Sequence, residues 1–320
     1  MGGFGEERRP LPPMLNSPML HPFELHRPES VDEACRLLAT LGDDAVAYAG
    51  GTELLLLMKE GLIRPRHLVD VKRIRELDAV TESHGRVTIG ATVTHRALER
   101  STTVRKRSPV VASVARHVAN VRVRNVGTVG GNLAFADPHS DLATLFLALD
   151  AEVRLVSPRG RREVSLERFV RGPWETERAP DELLTAVTLA PWRGRTAAAY
   201  VKFGIYERPT LGIAVMLLLD GDTTRIAEAR VAIGCVNPRP VRARDVELSL
   251  RGCDAADIED ACSQIGALAA AAADPADDLH GGADYKREMV AVFTRRALRA
   301  AASRARGIES AARYEHTVVA

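Results

Sequence analysis

The sequence predicts an α+β protein, in which a first domain of two α/β subdomains is followed by a three-stranded antiparallel sheet and a helical bundle. Short strand-like segments alternate with amphipathic helical ones through residues 21–192, which is typical of α/β units. Three later segments then alternate apolar and polar residues as antiparallel strands do, at 197–203, 211–219 and 226–234. After residue 241 the apolar residues recur at helical spacing, which predicts the terminal helices.

The change of pattern near Pro191 predicts the boundary between the two domains. A stretch rich in Gly, Pro and Arg precedes the first domain and predicts a disordered leader, and no core-forming period follows the last helix. The predicted units are a leader at 1–20, a first domain at 21–192 with subdomains near 21–80 and 81–192, a second domain at 193–305, and a tail at 306–320.

The individual elements follow from capping and periodicity. Ser30 followed by Glu33 is a capping box that predicts a helix over 31–41. Thr94 is the expected N-cap of a helix over 95–100. The remaining expectations are strands at 45–49, 67–71, 86–93, 151–157, 161–165 and 183–189, helices at 54–59, 109–118, 142–149, 243–250, 258–273 and 285–303, and a loop beginning at 165–169.

Composition excludes several classes of function. The 320 residues carry a net charge of only +2, with 27% charged residues, so nothing favours a nucleic-acid partner. No apolar run is long enough to cross a bilayer and no signal-peptide core begins the chain, so we expect a cytoplasmic protein without an integral membrane segment. The four cysteines are scattered, and His95, His117 and His139 share no helical ligand spacing, so no metal site is predicted.

The first feature that points to chemistry is a glycine-rich stretch within residues 118–141. Gly127, Gly130 and Gly131 fall within five residues between two apolar segments, so the backbone is expected to turn tightly and leave its N–H groups uncovered. Thr128 and Asn132 add side-chain donors, and Asp141 offers an acceptor suited to a ribityl or ribose hydroxyl. The stretch predicts a phosphate cradle; a glycine-rich hairpin turn is the alternative.

A second glycine turn lies upstream. The strand at 45–49 runs into Gly50, Gly51, Thr52 and Glu53 and then into a helix, an arrangement that directs backbone N–H groups at an anion. The stretch is not G-x-G-x-x-G, so an ordinary dinucleotide fold is not supported. A plain strand-to-helix turn is the alternative, but two such turns in one domain favour a shared ligand with two phosphates.

Several motifs together resemble a known family. They are A-G-G-T-E at 49–53, L-V-D-V at 68–71, T-V-G-G-N at 128–132, P-x-S-D at 138–141, Y-x-K at 200–202 and A-D-Y-K-R-E-M at 283–289. With these motifs the chain resembles the FAD-binding medium subunit of the molybdenum hydroxylases, of the carbon monoxide dehydrogenase and xanthine dehydrogenase type. The resemblance implies a PCMH-type FAD-binding domain at 21–192 and the family's C-terminal medium-subunit domain at 193–305.

The resemblance also implies the cofactor-binding residues. The pyrophosphate and ribityl chain would lie between two sets of residues, with Asp141 on a hydroxyl: Ala49, Gly50, Gly51, Thr52, Glu53 and Leu54, and Thr128, Val129, Gly130, Gly131 and Asn132. Val118, Leu184 and Lys202 match family positions near the cofactor, and Lys202 would place a positive charge near the flavin.

The chain departs from the family pattern in places. Thr52 stands where carbon monoxide dehydrogenases have His, whereas Glu53 is similar to xanthine dehydrogenases, so this motif leaves the substrate class open. No aromatic residue occupies the family's stacking position, and Tyr206 is the candidate in its place. The cysteine-rich insertion of 4-hydroxybenzoyl-CoA reductases is missing, which disfavours that enzyme.

The implied function is that of an oxidoreductase subunit that outputs electrons. A large molybdopterin-binding subunit would oxidise the substrate, a small subunit with [2Fe-2S] clusters would relay electrons, and the FAD held here would pass them to an external acceptor, in a heterotrimer or a dimer of heterotrimers. This chain would supply no acid–base catalyst and no metal ligand. The alternatives are a stand-alone FAD-dependent oxidoreductase with its own substrate, and a non-enzymatic nucleotide-binding or assembly module.

Overall fold

The computed structural model describes residues 20–204, 208–308 and 317–320. The first unit is a parallel sheet of order β1-β3-β2 with two helices. Its elements are β1 (Glu24–His26), α1 (Val31–Leu41), β2 (Ala45–Tyr48), α2 (Leu54–Lys59) and β3 (His67–Asp70). Ser30 caps α1 as predicted, because its Oγ accepts a hydrogen bond from the Glu33 N–H.

The second unit is a five-stranded sheet of order β4-β5-β10-β6-β7, with helices at its side. Its elements are β4 (Val80–Ser83), β5 (Arg86–Gly90), α3 (His95–Arg100), α4 (Thr102–Arg107), α5 (Pro109–Arg116), α6 (Val121–Val126), α7 (Val129–Phe135), α8 (Asp141–Ala148), β6 (Glu152–Ser157), β7 (Gly160–Ser165), α9 (Leu166–Phe169), β8 (Val170–Gly172), β9 (Glu175–Thr176) and β10 (Leu183–Leu189). The expected loop at 165–169 is therefore wrong: a single helical turn lies there, too short to show a period.

The third unit contains the three long antiparallel strands that the sequence predicts, and a helical layer. Its elements are β11 (Arg195–Phe203), β12 (Leu211–Leu219), β13 (Ile226–Gly234), β14 (Val241–Arg242), α10 (Arg244–Leu250), α11 (Ile258–Ala271), α12 (Ala283–Ala305) and β15 (Thr317–Val319). Two short edge strands extend the sheet to the order β14-β13-β12-β11-β15.

The end of the tail contributes to this sheet, although its sequence shows no core-forming period. Thr317–Val319 pairs with Phe203, Lys202 and Val201 of β11, and Ala320 is buried. A three-residue strand that pairs with a distant partner carries no local signal. Residues 309–316 of the tail and residues 1–19 of the predicted leader lie outside the described residues.

Helix α8 joins the second unit to the third. All of its residues from Asp141 to Ala148 are buried, and Leu142 and Phe146 belong to the same apolar cluster as Tyr200 and Met216 of the C-terminal sheet. Burial on every side explains why the helix is apolar around its whole circumference. Within the described part of the chain, no helix has the length and apolar character needed to span a bilayer.

Candidate functional site

A single large cavity brings the two glycine-rich stretches together. It encloses about 410 Å³ and is lined by both stretches and by the ends of the strands beside them, a volume within the usual range of small-molecule sites. Every residue predicted for the site lines this cavity except Val129 and Lys202. We call residues 49–54 the first glycine motif and residues 127–132 the second glycine motif.

The first glycine motif presents unpaired backbone donors to the cavity. Gly51 adopts a φ of +73°, which turns the chain between β2 and α2. The amide N–H groups of residues 50–54 have no acceptor among the described residues, whereas the Leu55 N–H already donates to the Gly51 carbonyl. A strand that ends in free N–H groups at the start of a helix is a site where an anion binds favourably.

The second glycine motif differs from this expectation of uncovered N–H groups. Residues 129–132 of this motif form the first turn of α7, and the side chain of Thr128 caps that turn by accepting a hydrogen bond of 3.1 Å from the Gly131 N–H. The Val129 and Gly130 amides donate to the carbonyls of Val93 and Ala91, at 2.9 and 2.8 Å. These donors are covered because the chain after β5 lies directly beside them.

The glycines of the second motif allow close packing. A β-carbon at Gly130 would lie 2.8 Å from both the Cα and the carbonyl oxygen of Ala91, so a larger residue would push the two segments apart. Val129 is fully buried in the apolar core beneath the cavity, which explains why it does not line the site.

The two motifs touch each other. A β-carbon at Gly50 would lie 2.9 Å from the Gly127 Cα and closer still to the carbonyl oxygen of Val126. Gly50 is therefore required where the first motif crosses the second. Two turns that are 76 residues apart in the chain, from 51 to 127, form adjoining walls of one cavity.

Two buried polar atoms of cavity-lining residues have no hydrogen-bond partner in the part of the chain that the structure describes. They are Thr92 Oγ1 and His95 Nδ1. Buried polar groups normally have such a partner, so these two atoms are exceptions beside the cavity. Burial, assisted by the charge of Arg124, lowers the pKa of His95 to about 4, so its imidazole is neutral.

Asp141 lies at the back of the cavity in a buried polar cluster. Its two carboxylate oxygens accept hydrogen bonds from the Tyr200 hydroxyl at 2.9 Å and from the Lys202 ammonium at 2.7 Å. Burial raises the pKa of the Asp141 carboxyl, while the charge of Lys202 opposes that rise.

Lys202 lies behind the cavity wall and does not line the cavity itself. Its ammonium is buried behind Asp141 and also donates to the His117 carbonyl at 3.0 Å. Because Asp141 balances the charge and stands between Lys202 and the cavity, Lys202 holds the carboxylate in place.

The segment between α5 and α6 is a strained part of the cavity wall. Val118 and Ala119 line the cavity, and Ala119 has a φ of +39°, which is rare for a residue with a β-carbon. Arg124 holds this conformation by donating to the carbonyls of Val118 and Ala119, at 2.9 and 2.7 Å. Leu184 lines the opposite wall, next to a register shift in β10.

Three charged residues at the cavity, Asp137, Arg178 and Arg208, were not predicted from the sequence. Arg208 pairs with Asp137 at 3.1 Å and with Glu53 at 3.5 Å, which links the third unit to the first glycine motif. Burial raises the pKa of Glu53. Arg178 also lines the cavity and donates to the Glu182 carbonyl at 2.9 Å. No local pattern marks the contacts of Arg208, because both join residues that are far apart in the chain.

Tyr206, which the sequence offers as a stacking partner for a flavin, lies outside the described residues. The described residues that line the cavity include only one of the aromatic types Phe, Tyr and Trp, which is Phe135.

Comparison with known proteins decides the family. Residues 21–192 match the family described as "FAD binding domain in molybdopterin dehydrogenase". The chain belongs to this family. The flavoprotein character extends to the second domain, because residues 206–301 match the "CO dehydrogenase flavoprotein C-terminal domain".

The relatives of this molybdopterin-dehydrogenase flavoprotein are oxidoreductase subunits. The chain is 36% identical to the carbon monoxide dehydrogenase medium chain of Hydrogenophaga pseudoflava, over 88% of this chain and 98% of that one. It is 32% identical to the nicotine 6-hydroxylase medium subunit of Paenarthrobacter nicotinovorans, over 87% and 96%. The chain is itself an oxidoreductase component with an FAD-binding domain.

Solved structures support the same assignment. The fold matches the carbon monoxide dehydrogenase from Hydrogenophaga pseudoflava that lacks the Mo-pyranopterin moiety of its cofactor, with a TM-score of 0.85 and 36% identity, over 89% of this chain and 99% of that one. It also matches quinoline 2-oxidoreductase from Pseudomonas putida 86, with a TM-score of 0.83 and 30% identity, over 89% and 99%. The predicted fold class and family resemblance are both confirmed.

The cavity residues of this flavoprotein fit FAD. A flavin dinucleotide needs donors for a diphosphate, polar partners for its hydroxyls and an apolar wall for its ring. Among the described residues, N–H groups without acceptors at 50–54, the Asp141 carboxylate and the apolar Val118 and Leu184 side chains meet these needs in one cavity.

Proposed function

We propose that this chain is the electron-output subunit of a molybdenum hydroxylase, which receives electrons from an iron–sulfur partner and passes them to an external acceptor. The observation that carries the proposal is the convergence of the two glycine motifs on one cavity whose open amides lie on the first motif. Bound FAD would supply the exchange of one or two electrons between donor and acceptor.

The first glycine motif is the proposed diphosphate clamp. The N–H groups of residues 50–54, which include those of Thr52 and Glu53, would donate to the phosphate oxygens, and the start of α2 would add its positive dipole end. The second glycine motif, from Thr128 through Gly130, Gly131 and Asn132, would form the wall beside the diphosphate, since Gly127 lies against Gly50.

Asp141 is the proposed acceptor for a ribityl hydroxyl. Each carboxylate oxygen has two lone pairs, so the bonds from Tyr200 and Lys202 leave acceptor capacity at the cavity. Lys202 keeps the carboxylate oriented, and Val118 and Leu184 would provide apolar contacts for the ring. No residue of this chain acts as an acid or a base in the proposal.

The partners are proposed from the family. Medium chains imply a larger and a smaller chain, and we assign molybdopterin to the large subunit and [2Fe-2S] clusters to the small one, in a heterotrimer or a dimer of heterotrimers. The described cysteines Cys35, Cys235 and Cys253 are unpaired thiols, as expected for a reducing cytoplasm. The division into domains at 21–192 and 193–305 belongs to the same proposal.

Purification of the chain from its own cells tests this function. Molybdenum, iron and flavin are expected to copurify with it, and the substrate of the complex is expected to bleach the flavin absorbance only when the partner chains are present. The isolated chain is expected to bind one FAD and to turn over no substrate. An isolated chain without a flavin band, or one that oxidises a substrate unaided, contradicts the proposal.

A further inference from the structure

Three potential metal ligands meet at the edge of the first sheet, away from the cavity. Glu24 and His26 lie on the same face of β1, because they are two residues apart in a strand. His67 lies on the adjacent strand β3, directly opposite Glu24 in the parallel register. None of the three lines the cavity.

The distances between their ligand atoms suit a tetrahedral ion. His26 Nε2 and His67 Nδ1 are 3.1 Å apart, and Glu24 Oε2 lies 3.4 Å from His67 Nδ1 and 3.8 Å from His26 Nε2. Ligands bound tetrahedrally to Zn²⁺ at about 2.0 to 2.1 Å are about 3.4 Å from one another. The three atoms therefore outline one face of such a tetrahedron.

The contacts between the three side chains leave room for a bound ion. One N–H satisfies the contact between His26 and His67. The Glu24 carboxylate lies 3.4 and 3.8 Å from the two ring nitrogens, beyond the usual length of an N–H···O hydrogen bond. A metal ion would give all three atoms one shared partner.

We propose that Glu24, His26 and His67 bind one divalent transition-metal ion of the Zn²⁺ class, with a water molecule in the fourth position. Two imidazoles and one carboxylate are a ligand set that zinc accepts. Both histidine side chains are mostly buried, at 18% and 23% exposure, so little ordering is needed to form the site. The ion ties β1, a strand of only three residues, to β3.

Calorimetric titration with Zn²⁺ tests the site. The full-length chain is purified without a polyhistidine tag, loaded with FAD and freed of metal by a chelator. We expect one equivalent of Zn²⁺ to bind at low micromolar concentration or tighter. Co²⁺ bound in its place is expected to give the intense visible absorption of a four-coordinate ion.

Substitution of each residue tests whether its side chain binds the ion. His26→Ala and His67→Ala are each expected to weaken Zn²⁺ binding at least tenfold. Glu24→Gln is expected to do the same while leaving the fold intact, because the Glu24 side chain is 66% exposed. His84→Asn is the matched control: His84 lies in the turn after β4 with a φ of +50°, which Asn tolerates, and this variant should bind Zn²⁺ as the parent does.

Two results overturn the proposal. One is a titration of the parent chain without saturable binding of one Zn²⁺. The other is unchanged Zn²⁺ affinity in both Glu24→Gln and His67→Ala. Flavin absorbance per chain, measured on every variant, verifies that the FAD-binding domain is folded.

Discussion

The two glycine motifs look alike in sequence but serve the cavity in different ways. In the first motif the amides of residues 50–54 have no acceptor within the described ranges of the chain, and Gly51 adopts the left-handed conformation that exposes them. In the second motif the amides of residues 129–132 already donate to protein acceptors, within the first turn of a capped helix. The first motif offers hydrogen-bond donors to a ligand, and the second motif forms a closely packed wall of the cavity.

The difference shows that a glycine-rich stretch can be required for two separate physical reasons. Gly51 is needed for its backbone angle. Gly130 is needed because Ala91 leaves no room for a side chain. Substitutions in the first motif should therefore lower the affinity for the cofactor, and substitutions in the second motif should lower the folding stability.

The largest expected effect is that of Gly50→Ala. Its β-carbon would meet the carbonyl of Val126 and the Cα of Gly127, so the motifs must separate where they touch. We expect FAD affinity to fall by about 4 kcal/mol, roughly a thousandfold. Flavin absorbance per chain and calorimetric titration of the flavin-free protein measure this loss.

Gly172→Ala is the matched control for that variant. The added β-carbon would lie no closer than 3.6 Å to Glu175, an ordinary contact outside the cavity. Its FAD affinity should equal that of the parent. A Gly50→Ala variant that retains its flavin would show that the contact between the motifs is not needed for binding.

The second effect is a pH dependence that arises beside the second motif. Burial lowers the pKa of His95 in the folded chain to about 4 from its ordinary 6.5, so the unfolded chain binds more protons between these pH values. Stability is therefore lost as the pH falls from 6.5 to about 4, by up to about 3 kcal/mol. Urea denaturation of the flavin-free chain at about pH 7 and about pH 4.5 measures it.

The variant His95→Gln isolates this contribution. Glutamine does not titrate, so the difference in stability between the two pH values should shrink relative to the parent. The exposed His84 serves as the control, since His84→Asn should leave the difference as it is. Equal pH dependence in His95→Gln and the parent would contradict a buried neutral histidine at this position.

The third prediction concerns Gly130→Ala. The added carbon would be 2.8 Å from backbone atoms of Ala91, which the end of β5 holds in place. We expect a loss of about 2 kcal/mol in the unfolding free energy of the flavin-free chain, typical of overpacking. Affinity for FAD among the folded molecules should change by less than about fivefold. A variant with lower FAD affinity but an unchanged free energy of unfolding would contradict this prediction. It would indicate that the second motif donates hydrogen bonds to the cofactor.

The smallest expected effect is that of Arg208→Gln, which removes the ion pairs to Glu53 and Asp137. The Arg208 side chain is 54% exposed, so solvent weakens both pairs, and FAD affinity should fall by less than about 1 kcal/mol. The parent's affinity should decline slightly with salt, and the variant's should not. A loss larger than tenfold would mean that Arg208 touches the cofactor directly.

The helices and strands that were predicted correctly are those marked by a pattern within their own residues. The capped helices α1 and α3, the hairpin of β6 and β7 and the three long strands of the C-terminal sheet were all predictable from periodicity and turn residues. The candidate site was also predictable in outline, because both glycine motifs are contiguous in the chain and line one cavity.

The parts that were missed depend on partners far away in the chain. The acceptors that cover the second motif come from Ala91 and Val93, and the partner of Lys202 is Asp141, 61 residues away. Helix α7 was hidden because its first turn contains two glycines, which are poor helix formers and read as a turn. A hydrogen bond between residues that are far apart in the chain produces no periodic pattern in the sequence. Whether a glycine amide already has an acceptor can therefore be seen only in a structure.

Amide hydrogen exchange with and without FAD tests the division of roles between the two motifs most directly. We expect FAD to slow exchange at residues 50–54 by at least roughly tenfold, because their N–H groups gain phosphate acceptors only in the complex. Little change is expected at residues 129–132, whose amides already donate to protein acceptors without FAD. Strong new protection at 129–132, with none at 50–54, would contradict this division of roles.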